Sequence, residues 1–112
     1  MASLEPVKMY HGQPTAGTGW TTAYTVGAGK RAVLKHIRVT NTTASAATVT
    51  IITGTASTSG NFNYFANEVT VNGRDVLLFE INEVLNDGEK VFLKQGTASA
   101  LTVQISGVEV TL

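Results

Sequence analysis

The sequence has no cysteine, only two prolines and little charge: eight basic and eight acidic side chains in 112 residues, balancing to a net charge of zero. Without cysteine there is no disulfide framework, no iron–sulfur cluster and no thiolate zinc site, so an apolar core must hold the chain together. A chain of this length forms one domain and buries roughly two-thirds of its unfolded surface. Lys30, Arg31, Lys35 and Arg38 are the only local concentration of basic residues, which argues against a partner bound by counterion release from DNA or RNA. No apolar run approaches the ~20 residues that span a bilayer, so no membrane partner is expected. The opening Met1 to Pro6 has neither a basic start nor an apolar stretch of signal-peptide length, and synthesis in a cytoplasm is the expectation.

What the sequence does have is Thr, Val, Ala and Gly, broken by turn clusters about every 8 to 12 residues, the spacing of short strands. Trp20 to Val26 leads into Gly27-Ala28-Gly29; Arg31 to Thr40 and Thr48 to Thr53 follow, the latter alternating apolar with Thr. Phe62 to Val71 forms a further strand, and Asn72-Gly73 reads as a hairpin turn into the alternating run from Leu77 to Asn82. After Asp87-Gly88 come Lys90 to Gln95 and Leu101 to Leu112, where a change of apolar parity at Gly107 predicts a β-bulge. Seven or eight such strands without helices imply an all-β fold, an antiparallel β-sandwich of jelly-roll or immunoglobulin-like type. The cysteine and tryptophan spacing of antibody domains is missing.

Residues 1–19 differ, with both prolines and three glycines. They read as an extended N-terminal arm ahead of a sandwich domain at residues 20–112, with Leu4, Val7, Met9 and Tyr10 as candidate contacts to a neighbouring subunit. The alternative is a strand added to the chain's own sheet.

Chemistry-bearing patterns are weak. Gly27-Ala28-Gly29-Lys30 has Tyr24 and Arg31 where a phosphate-binding loop requires Gly and Ser or Thr, and it opens a strand, not a helix. His11 and His36 lack metal-ligand spacing, and Asn86-Asp87-Gly88-Glu89 is a turn without the alternate oxygen ligands of a calcium loop. Glu80 and Glu83 point to opposite faces of one strand, and no serine has a nucleophile-elbow setting. No catalytic residue, cofactor or metal site is expected. The aromatic group could form a sugar-stacking platform, with Trp20, Phe62, Tyr64 and Phe65 as candidate glycan contacts, although aromatics in a small sandwich more often fill its core.

Longer stretches carry a resemblance. Gln13-Pro14, then Tyr24-Thr25-Val26-Gly27-Ala28-Gly29-Lys30-Arg31-Ala32-Val33-Leu34-Lys35-His36-Ile37, then Val39-Thr40-Asn41-Thr42 resemble small virion proteins of tailed bacteriophages, whose turn usually reads Tyr-x-Val-Pro-Ala-Gly-Lys. Leu85-Asn86-Asp87-Gly88-Glu89-Lys90-Val91 and Val103-Gln104-Ile105-Ser106-Gly107-Val108-Glu109 are similar to later segments of that family, so the match runs from about Gln13 onward. Gly27 replaces the usual proline, which relaxes the turn without abolishing it. The resemblance implies a non-enzymatic β-sandwich subunit of a phage particle, made in the host cytoplasm and resident in the virion. The expected role is a capsid decoration or cement protein. Its expected partners are the major capsid protein or other virion proteins and further copies of itself in a homo-oligomer, a trimer among the forms. The competing expectation is a tail- or fibre-associated carbohydrate- or receptor-binding module.

Overall fold

The computed structural model describes residues 3–16, 19–56, 64–97 and 99–112. Eight strands are found among them: β1 (Ser3–Gly12), β2 (Thr21–Thr25), β3 (Lys30–Asn41), β4 (Ala47–Gly54), β5 (Tyr64–Val71), β6 (Val76–Leu85), β7 (Lys90–Gln95) and β8 (Leu101–Thr111). They form two four-stranded antiparallel sheets, in the orders β1-β8-β3-β6 and β2-β7-β4-β5. Most successive strands fall in opposite sheets, and the first strand lies beside the last. This is a jelly roll. The four-plus-four arrangement also separates it from the immunoglobulin sandwich, which divides seven strands four and three.

Period-two patterning explains the core. Leu101, Val103, Ile105 and Gly107 of β8 are buried, and opposite them stand the buried Ala32, Leu34, Ile37 and Val39 of β3 and Val49, Ile51, Val91 and Leu93 of the second sheet. Two buried polar side chains have their partners. Asn41 donates to the carbonyls of Ser45 and Val71 and accepts from Thr43, while Gln95 donates to the carbonyl of Pro14 and accepts from the Leu101 amide. Each ties a loop to a strand, so the desolvation cost of burying an amide is met.

Three expectations change. Residues 3–12 are no arm: β1 pairs along its whole length with β8, because the apolar Val7 and Met9 alternate correctly to close the first sheet. Residues 3–12 are thus a strand added to the chain's own sheet, the alternative to an arm. Asn72-Gly73 does not close a hairpin, since β5 and β6 lie in different sheets. Gly73 is required there by the opposite loop, whose Ala44 carbonyl oxygen would sit 2.2 Å from any added Cβ. Finally, β8 alternates without interruption through Gly107, and the irregularity falls on its neighbours. Both β1 and β3 carry an extra residue opposite Ser106, at Met9 and Lys35. Gly107 is needed because a Cβ would lie 2.2 Å from the Val33 carbonyl oxygen and 2.8 Å from Met9 Cε.

Candidate assembly surface

The sheet β1-β8-β3-β6 turns one face to the core and the other to solvent, and register defines the outer face row by row. Pro6 stands opposite Val108, Val108 opposite Val33, and Val33 opposite Val84, giving an apolar row that crosses all four strands. Leu4, opposite Val110, extends it at one end. Val84 is 56% exposed and Leu4 is 73% exposed. Beyond the bend the face turns polar: Lys8, Ser106, His36 and Glu80 share one row, and His11, Gln104, Arg38 and Leu78 the next.

Charge on this face is one-sided. Lys8, Arg31, Lys35 and Arg38 are exposed on it together with His11, whereas Glu80 is the only carboxylate in its rows. Two of these cations are held flat, Lys35 by donating to Asn82 Oδ1 and Arg38 by donating to Gln104 Oε1. The face thus pairs an apolar row with a cationic band, an arrangement suited to an acidic, partly apolar surface.

The sheet ends in two edges. β1 carries Pro6, which lacks a main-chain donor, the cation Lys8, and the extra residue at Met9. β6 has neither proline nor cation; its only charges are Glu80 and Glu83, and Val76 and Leu78 are 46% and 55% exposed. β6 also carries an extra residue at its middle, three residues (Glu80–Asn82) spanning what β3 spans with Lys35 and His36.

The four proposed arm contacts divide accordingly. Met9 is buried and Val7 and Tyr10 pack against the core, so these three hold β1 in place, and Leu4 alone faces solvent. Burial pushes the Tyr10 phenol above its usual value. The sugar-stacking group is dispersed. Phe65 packs edge-on against Phe79, ring centroids 5.1 Å apart, beside the core. Trp20 is half-buried with Lys94 Nζ 4.4 Å from its ring centroid, Tyr64 is half-buried, and Phe62 lies outside the described residues. A groove lined by Thr48, Thr50, Glu68, Lys94, Gln95 and Gly96 has a volume of about 70 Å³, room for a couple of water molecules rather than a sugar ring.

One polar cluster bridges the two sheets. Tyr24 of β2 donates its hydroxyl to Glu109 of β8, and Lys30 Nζ lies 3.9 Å from the same carboxylate. Burial, and then the Glu109 hydrogen bond and charge, hold the Tyr24 phenol well above its ordinary value. The pair acts as a latch between the sheets. Among the described residues no group of three or more His, Asp or Glu side chains is placed to hold a metal ion.

An eight-stranded jelly roll is a fold shared by viral shell and lectin domains. No protein-family model matches the chain, and no curated protein sequence does. Among solved structures it is similar to a chain of the infectious bursal disease virus Gx strain, with a TM-score of 0.55 at 10% identity over 98% of this chain and 32% of that one. A chain of the viral particle of the same virus gives a TM-score of 0.57 at 9% identity, covering 99% and 31%. Its VP2 subviral particle gives 0.54 at 10% identity, covering 97% and 32%. The chain spans about a third of the length of those viral chains. At such identities the likeness is one of fold.

Proposed function

We propose that the protein is a non-enzymatic structural subunit of a virion, a capsid decoration or cement protein of a tailed bacteriophage. The observation that carries this reading is the outer face of β1-β8-β3-β6, an apolar row beside a cationic band on a jelly roll whose neighbours in fold are chains of virus particles. Such a face attaches by apolar burial and charge complementarity to an acidic shell surface, and repetition over a symmetric particle turns modest single contacts into lasting attachment. The chain's zero net charge limits repulsion between crowded copies. The experiment is to image purified particles carrying the labelled protein and to compare their heat resistance with particles lacking it. Regular copies on the head, and heads that rupture at lower temperature without them, are the expected result; copies confined to the tail overturn the decoration role.

The tail- or fibre-associated carbohydrate-binding reading keeps one observation in its favour, the half-buried Trp20 at the surface under Lys94. Among the described residues Phe65 packs against the core and Tyr64 lies on β5, at the edge of the sheet opposite β2, so neither stacks beside it. Glycan-array binding abolished by Trp20→Ala in a folded protein would favour that reading instead.

A further inference from the structure

β6 is the terminal strand of its sheet, so its main-chain groups on the side away from β3 face no other described strand. Such an edge is a template for a further strand unless proline, cations or irregularity blunt it. β1 has all three, whereas β6 has only the extra residue at its middle. We propose that two copies of this chain join through β6, as antiparallel strands related by a two-fold axis at Ile81, making the two sheets one continuous sheet.

Side-chain alternation, charge and the bend together select that register. Outward ranks stay together only if residues of like parity face each other. An axis at Glu80 would set the two Glu80 carboxylates directly opposite, which is destabilising. An axis at Asn82 would press Glu80 against Val84 and carry Leu78 beyond the strand's end. With the axis at Ile81, Glu80 faces Asn82 of the second copy. That asparagine already accepts a hydrogen bond from Lys35, so each carboxylate approaches a cation one strand further in. Leu78 faces Val84 twice by symmetry, covering two of the chain's most exposed apolar side chains and prolonging the Val33–Val84 row. The three residues Glu80–Asn82 of one copy then oppose the same three of the other, so the bend that mismatches β6 with β3 leaves no residue over between copies.

This pairing belongs to the isolated chain and does not depend on the virion reading, so it is tested on purified full-length protein without particles. Sedimentation velocity across micromolar to millimolar concentration should show a monomer–dimer equilibrium. Leu78→Lys, with unchanged circular dichroism, should raise the dissociation constant roughly tenfold, since it alters two cross-strand pairs at once. Adding Val84→Glu should restore association, because the new Lys and Glu face each other only with the axis at Ile81. The chain has no cysteine, so Glu80→Cys combined with Asn82→Cys should give a disulfide-linked dimer on oxidation, and Glu80→Cys alone should not. A monomer at every concentration, a dimer indifferent to Leu78→Lys, or cross-linking by Glu80→Cys alone as readily as by the pair overturns the proposal.

Discussion

β1 and β6 terminate the same sheet and bend along the same line, yet they are built for different neighbours. β1 sends Val7, Met9 and Tyr10 into the core and meets whatever approaches from outside with Pro6, Lys8 and the irregularity that the extra Met9 makes in its backbone. β6 turns Val76, Leu78 and Val84 outward, and its only charges are Glu80 and Glu83. Natural sheets blunt their edges with the devices seen in β1. Their near absence from β6 shows that an edge is a choice made residue by residue, and that this sheet is closed on one side and open on the other.

Four substitutions break or sharpen this contrast, in falling order of effect. Gly107→Val, in the strand that joins β1 to β3, forces a side chain into the Val33 carbonyl and Met9. It should cost more than about 3 kcal/mol and abolish cooperative unfolding, read by urea denaturation followed with circular dichroism. Met9→Ala tests whether β1 is truly docked: a buried methionine in the core loses about 2–4 kcal/mol on truncation, whereas an arm residue would lose nothing, and the urea midpoint distinguishes the two.

Tyr24→Phe removes the latch where β8, the strand that anchors β1, meets the second sheet, and should cost about 1.5 kcal/mol. The pH dependence follows from the raised phenol. Its folded value lies above its unfolded value, so the contribution is complete below the ordinary tyrosine value of ~10 and is lost as pH rises beyond it. Wild type should therefore lose stability more steeply than Tyr24→Phe between neutral and strongly alkaline pH, in parallel denaturation series. Smallest of all, Leu78→Thr on the open edge should leave the unfolding free energy of the monomer within about 0.5 kcal/mol of wild type, because that side chain is mostly in water already.

Much of the fold was legible in the residues. Alternation in Leu101 to Gly107 and in Leu77 to Asn82, and the Gly29 and Gly88 turns with φ of 74° and 80°, place strands and breaks where the structure has them. β1 was hard to read because Pro6 and the inserted Met9 interrupt its period, and both are edge devices that only make sense beside β8. Gly107 marked an irregularity correctly but on the wrong strand, since a sequence shows that a side chain is missing and not which neighbour forbids it. Asn72-Gly73 failed as a hairpin because its glycine answers the Ala44 carbonyl across a loop rather than a local turn type. Of the seven candidate contacts among the described residues, Leu4 alone is exposed, and the cross-strand row beside it spans four strands that no linear spacing connects.

By itself the sequence determined the class of structure: short alternating strands, an apolar core without cross-links, and a neutral total charge. These are local periodicities and totals, fixed by composition and spacing alone. The order of the strands, and with it the distribution of charge, was decided only by tertiary structure. Lys8 lies far along the chain from Lys35 and Arg38, and it shares their face only because β1 closes on β8 and β8 on β3. A balance of zero in the sequence thus becomes a cationic, partly apolar surface in the fold, since pairing between distant strands, not position in the chain, sets which side chains stand together.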